Sequence, residues 1–184
     1  MPKYSFGKSG ADNPETKQTT NFHVTGFLDA PLVGALWVQP GLSLQGKGGK
    51  FFETNNLEIE QNTMWIEVPV NFVGKIPLSP GGANIFLGAG PYAGFAITGE
   101  NKAKTSGTSG STTVKSDVKF GKNADDDLKR TDLGLNFIGG TQLGNGLSVG
   151  AGYGMGLTDL RPTGKGDDGQ INNRVWSFSL GYSF

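Results

Sequence analysis

Val175-Trp176-Ser177-Phe178-Ser179-Leu180-Gly181-Tyr182-Ser183-Phe184 alternates large apolar side chains with small ones and stops on an aromatic. A period of two marks an extended strand with chemically different faces. Here the large face carries Trp176, Phe178, Leu180, Tyr182 and Phe184, and the other carries only serine and glycine around Val175. A soluble sandwich can produce one such strand. A barrel in a membrane must repeat the pattern all round, with an apolar outside and a small or polar inside.

The pattern does repeat. Leu147, Val149, Ala151, Tyr153, Met155 and Leu157 alternate with Ser148, Gly150, Gly152, Gly154 and Gly156. Upstream, Leu133, Leu135 and Phe137 alternate with Asp132, Gly134 and Asn136, and Gly144-Asn145-Gly146 supplies a tight-hairpin signal between the two segments. Ile85, Leu87, Ala89, Ala93, Phe95 and Ile97 oppose Phe86, Gly88, Gly90, Tyr92 and Gly94. Met64, Ile66, Val68, Val70 and Phe72 oppose Trp65, Glu67, Pro69 and Asn71, while Leu36, Val38, Leu42 and Leu44 oppose Trp37, Gln39, Gly41, Ser43 and Gln45. Phe22, Val24 and Leu28 face away from His23, Thr25, Phe27 and Asp29. Pro40, Pro69 and Pro91 fall inside these runs and cannot donate to a ladder, so bulges or local loss of pairing are expected there.

These segments predict an all-β chain: an eight-stranded antiparallel up-and-down transmembrane β-barrel, with strands near 3–11, 20–29, 35–46, 63–74, 84–99, 129–143, 146–159 and 173–184. The chain reads as a single domain over 1–184. Connections at 30–34, 75–83 and 144–145 are short, whereas 12–19, 47–62, 100–128 and 160–172 are longer and polar. That regularity puts short turns at the periplasmic end and long loops outside the cell. The first strand is the weakest: strict alternation sets Lys8 toward lipid, and a bulge at Gly7 would return it to the lumen.

Composition agrees. The 184 residues include 31 glycines and only 35% apolar side chains, low for a chain with an ordinary core. No run approaches the ~20 consecutive apolar residues of a membrane helix, so spanning must be done by strands. Sixteen basic and sixteen acidic residues give neutrality, which argues against a nucleic-acid partner, and the lack of cysteine excludes disulfides and thiolate metal sites. Met1-Pro2-Lys3-Tyr4 shows no signal-peptide pattern, so the sequence reads as a mature form carrying a start methionine.

The runs Leu36-Trp37-Val38-Gln39-Pro40, Trp65-Ile66-Glu67-Val68-Pro69, Gly88-Ala89-Gly90-Pro91-Tyr92-Ala93-Gly94-Phe95 and Thr131-Asp132-Leu133-Gly134-Leu135, with the glycine-rich seventh strand and the aromatic end, resemble the small outer-membrane β-barrel domain common in Bacteroidetes, of the PorT-like or OMP beta-barrel kind. The likeness spans roughly residues 3–184. Phe6-Gly7-Lys8-Ser9-Gly10 departs from it, one residue short of the usual Phe-Gly-Val-Lys-Ala-Gly, and this leaves the facing of the first strand open. The resemblance implies the fold and the outer membrane of a Gram-negative bacterium; it assigns no activity.

The functional expectation is a non-enzymatic barrel with a lumen filled by side chains, in a structural or interaction role and as a subunit of a larger envelope complex. Gln39, Glu67, Tyr92, Asp132 and Gln142, with Lys8 as a candidate member, would form a polar lumen network, because charges in a narrow barrel need partners. Trp176, Phe178, Leu180, Tyr182 and Phe184 resemble the insertion signal read by the barrel-assembly machinery, though an aromatic girdle would place the same residues there. Outer-membrane lipid is the expected surrounding, and other envelope proteins would meet the extracellular loops, above all 100–128 with its Ser/Thr/Gly-rich centre.

Two alternatives stand beside it. A soluble lipocalin-like barrel would turn its large apolar side chains inward around a ligand. A lipid-modifying membrane enzyme would use His23 with Asp29 and a serine, but six positions along one extended strand separate them by roughly 20 Å. A pore is disfavoured because eight strands enclose a lumen that side chains usually fill. Asp125-Asp126-Asp127 lacks the ligand spacing and glycine of a calcium loop, and Gly164-Lys165-Gly166-Asp167-Asp168-Gly169 lacks the features of a phosphate loop. No metal or cofactor is expected.

Overall fold

A computed structural model describes residues 2–6, 17–18, 23–54, 57–107, 110–123, 125–163 and 171–182. They form one antiparallel sheet of eleven strands: β1 (Pro2–Phe6), β2 (Lys17–Gln18), β3 (His23–Phe27), β4 (Ala30–Val33), β5 (Leu36–Thr54), β6 (Leu57–Pro77), β7 (Asn84–Gly107), β8 (Gly110–Asp117), β9 (Thr131–Gln142), β10 (Leu147–Gly156) and β11 (Ile171–Tyr182). The order β1-β11-β10-β9-β7-β6-β5-β2 is a meander in which first and last strands pair. The backbone of β1 also comes near β2 and β5, so the sheet curls until its ends approach.

The count differs from eight for two local reasons. β2, β3 and β4 all pair with β5, in sequence along its length. Between β3 and β4 the chain turns Asp29 toward Gln39 and Lys75, and the regular ladder is interrupted there, with the Leu28 N–H still donating to the Pro40 carbonyl at 3.0 Å. β8 is the second difference, since it pairs only with β7, beyond the stretch that pairs with β9.

Residues 47–62 and 100–128, expected as loops, differ most. Lys47–Thr54 continues β5 and pairs with β6, and Gly107↔Gly110 closes a hairpin onto β8. β-branched residues in Thr112-Thr113-Val114 suit a strand, and backbone pairing overrides a composition that reads as linker. Strands of 19, 21 and 24 residues far exceed the 9–11 that cross a bilayer. β7 therefore runs about 40 Å past its last pair with β9, at ~3.3 Å per residue.

At the prolines the ladders skip and resume in register: β5–β6 pairing jumps from Pro40↔Val70 to Ser43↔Glu67, and β6–β7 pairing from Pro69↔Tyr92 to Phe72↔Ala89. Loss of pairing rather than a bulge is the outcome. Register shifts occur between Pro31 and Val33, between Lys50 and Phe52 and between Met64 and Trp65, the last leaving Ile97 without an opposite residue. Both Ile97 and Thr98 are exposed, while Ala96 stays buried beside Trp65.

The outer face is apolar. Leu42, Ile66, Val68, Phe72, Leu87, Phe95, Leu133, Val149 and Phe178, the last 77% exposed, all point away from the interior. Buried residues include Gln39, Ser43, Lys47, Glu67, Asn71, Asp132 and Asn173. The short turns gather at one end, with Gly82 packed against Gly144.

Candidate functional site

Parity along each strand decides what enters the lumen. Ser43, Gln45 and Lys47 follow Gln39 in phase on β5; Glu67 lies on β6, Tyr92 on β7, Asp132 on β9 and Asn173 on β11. Curling the sheet brings Gln45, Lys47, Glu67, Tyr92, Asp132 and Asn173 into one layer. Lys47 Nζ lies 2.6 Å from Glu67 Oε1 and 3.0 Å from Asp132 Oδ2. Tyr92 donates its hydroxyl to Asp132 at 3.1 Å, and Asn173 donates its amide at 2.7 Å. Gln45, with its amide nitrogen toward Glu67, donates at 2.7 Å. The ammonium also lies 5.1 Å from the ring centroids of Trp65 and Tyr92, within cation–π range. Lys47 is 1% exposed and Asp132 0%, so these charges are stabilised by one another and by the polar groups around them rather than by water.

Above this layer, away from the short turns, the lumen is closed by apolar packing. Trp65, Ala96, Val118, Leu128 and Leu160 form a buried cluster with Phe120 and Ile171 against it. Trp65 donates its indole N–H to Thr63, whose hydroxyl donates to the carbonyl of Lys47, tying cluster to ion layer. The segment after β8, expected as part of the extracellular loop 100–128, thus folds into the barrel mouth. The Asp125-Asp126-Asp127 run holds its own backbone: Asp127 accepts from the Lys119 N–H and Asp126 from the Asn123 N–H. Among the described residues no cluster has the donors of a metal site.

Below the layer the lumen is not filled. A cavity of about 370 Å³ extends from Lys47, Glu67 and Tyr92 to Asp29, Lys75 and Gln142 near the turns and reaches Val24, Phe178, Leu180 and Tyr182 of the outer face, beside the part of β11 past its last pair with β1, Pro2↔Val175. The cause is the small inner face of β10 and β11. Phe86 packs over it, its ring 3.3 Å from where a Cβ at Gly150 would lie, yet one aromatic cannot occupy the space left by Ser148, Gly152, Ser177 and Ser179. Tyr92 lies over Gly134 in the same way. A second polar group lines the cavity's outer part: Asp29 is ion-paired with Lys75 and accepts from Gln39 at 3.2 Å, and Lys75 sits 4.4 Å from the ring centroid of Trp37.

Of the expected network, Glu67, Tyr92 and Asp132 meet. Gln39 belongs instead to the Asp29–Lys75 group, and Gln142 accepts from Asn84 at the turn end, apart from both. The cation is Lys47, which the expected loop at 47–62 had hidden; the unbroken phase Gln39-Ser43-Gln45-Lys47 was the available signal. Lys8, Phe184 and the Gly164–Gly169 run lie outside the described residues. His23 and Asp29 line the same cavity, but Asp29 is engaged by Gln39 and Lys75 rather than by the imidazole. Trp176, Phe178, Leu180 and Tyr182 share the exposed outer face, Trp176 with its ring 4.9 Å from that of Tyr153.

A family model described as outer membrane protein beta-barrel domain matches residues 2–161. No curated protein and no solved structure matches the chain.

Proposed function

Because this chain belongs to the outer membrane β-barrel domain family, we propose that it is a non-enzymatic barrel of eight staves in the outer membrane of a Gram-negative bacterium, with a structural or interaction role in the envelope. β2, β3 and β4 together make the second stave, and β8 stands outside the count. One observation carries the reading: the outer face is apolar while Lys47, Glu67 and Asp132 are buried, an inversion that a soluble fold has no means to tolerate. A lipocalin-like barrel needs the opposite facing of Phe72, Leu87 and Phe178.

The wall formed by the far ends of β5, β6 and β7 with β8 is the surface offered to other envelope proteins, as a subunit of a larger complex. Trp176, Phe178, Leu180, Tyr182 and Phe184 serve as the signal for the barrel-assembly machinery. Trp65, Asp132 and Leu160, all fully buried, argue for a lumen that conducts nothing. The motif likeness supports placement among the PorT-like barrels of Bacteroidetes. Refolding into detergent tests the core of this reading: the folded chain should run at a different gel mobility from the boiled chain. A chain that is monomeric and folded without detergent would sink it. Recovery from native outer membranes in mild detergent should bring a stoichiometric companion; recovery alone would remove the complex.

A further inference from the structure

We propose that the seam between β3 and the far part of β11 is a strand-accepting site, filled by an extended segment of another polypeptide that adds antiparallel to β11 in line with β1. The proposal rests on the membrane reading above. β1 pairs with β11 only over residues 171–175. Over residues 176–181 no described strand pairs with that edge of β11, and β3 pairs only with β5. Both edges border one cavity, with Val24 and Thr25 on one side and Phe178, Ser179 and Leu180 on the other. Every second residue of a strand turns its N–H and C=O toward a given edge. The outward side chains here, Val24, Phe178 and Leu180, are apolar and exposed, which sets those backbone groups at hydrocarbon depth. An open edge is not tolerated in that medium. An acyl chain has no donor or acceptor to meet it, whereas an added strand has both.

Topology fixes the width and direction of the occupant. β1 pairs with β11 on one edge and lies beside β2 on the other, so a single strand separates β11 from the second stave. Six antiparallel steps lead from β3 through β5, β6, β7, β9 and β10 to β11, so β3 and β11 run the same way and a strand between them opposes both. Copies of this chain inserted in one orientation present β3 and β11 in that same direction, so a second copy does not supply it. About six residues, roughly 20 Å of strand, span the seam. Side chains beside Phe178 and Leu180 meet lipid and are apolar, while those beside Ser177 and Ser179 enter the cavity, where small neighbours leave room for long ones. One inward residue is basic, because a single Lys47 stands against Glu67 and Asp132, and Glu67 lines the cavity.

The test adds the peptide Leu-Lys-Val-Thr-Leu-Thr-Val to the full chain refolded in zwitterionic micelles and reads amide hydrogen exchange. Heat-modifiable gel mobility is checked first; its absence would remove the membrane reading instead. Without peptide, the seam-facing amides of β3 and of residues 176–181 should exchange fast and those of β9 slowly. The peptide should slow the seam amides by about tenfold or more and leave β9 unchanged. The same peptide N-methylated at every second residue keeps its side chains but loses its donors, and should have no effect. No slowing at millimolar peptide, or equal slowing by both peptides, would overturn the proposal. Seam amides as slow as those of β9 before any addition would show the chain closing its own seam, and equal slowing by oleate would assign it to an acyl chain; either overturns it. A glutamate in place of the peptide's lysine should weaken the effect, and an unchanged effect would overturn the basic inward residue.

Discussion

The two halves of the lumen share the same strands and the same inward parity, yet they are built in opposite ways. The half away from the short turns is dense: Trp65, Leu128 and Leu160 over a layer in which Lys47 bridges Glu67 and Asp132. The turn-end half is open, walled by serine, glycine and amide side chains around a cavity. Stability should therefore concentrate in the first half and tolerance in the second. Parity decides which side chains enter a barrel; their volume and charge decide what each level of it is for.

The contrast breaks most sharply at Lys47. Lys47→Ala leaves two buried carboxylates without a cation and is expected to cost about 3–5 kcal/mol in denaturant unfolding of the micelle-bound protein. The triple change Lys47→Met, Glu67→Gln and Asp132→Asn should restore most of that. A single variant as stable as the parent would mean that the layer is hydrated rather than buried. Trp65→Ala tests the apolar part of the same half, with an expected loss of roughly 3–5 kcal/mol for a large buried aromatic.

The outer face comes next in size. Leu87→Arg should cost about 2–4 kcal/mol in a bilayer, as a charge near mid-membrane does, whereas Thr113→Arg on β8 should stay within ~0.5 kcal/mol. Equal costs would remove the claim that the far end of β7 and β8 lies outside lipid. In the open half, Ser179→Ala should change unfolding by less than ~0.5 kcal/mol; a larger loss would show that the vestibule is as tightly packed as the plug.

The smallest effect concerns acid. Burial alone would raise the Asp159 carboxyl, but the N–H groups of Ile171 and Arg161 donate to it and the charges of Arg161 and Lys129 lie near, so it is held below its ordinary value. A lowered folded pKa contributes stability above the ordinary aspartate range, and that contribution is lost as pH falls through the lowered value. Asp159→Asn should thus weaken protection of the Ile171 amide from hydrogen exchange at neutral pH and leave it unchanged in strong acid. An equal effect at both pH values would assign the role to shape rather than charge.

Much of this was legible along the chain. The period of two placed Glu67, Tyr92 and Asp132 inside and Phe178, Leu180 and Tyr182 outside, because a pleated strand leaves no other choice. Gly46-Lys47-Gly48-Gly49-Lys50 misled, since glycine and lysine together read as a turn until a partner strand is seen to pair with them. Asn173, in phase with Val175 and Ser177, carried a similar unused signal.

Alternation, glycine content and the aromatic final strand determined by themselves that this chain is a sheet with an apolar outside, since side-chain direction in a strand is local geometry. Tertiary structure alone decided which inward groups meet, that Lys47 bridges Glu67 and Asp132, and that one half of the lumen is plugged and the other open. Those outcomes depend on strand length, register and curl, and on a segment after β8 returning to cover Trp65. All are long-range pairings, and no window of sequence contains both partners.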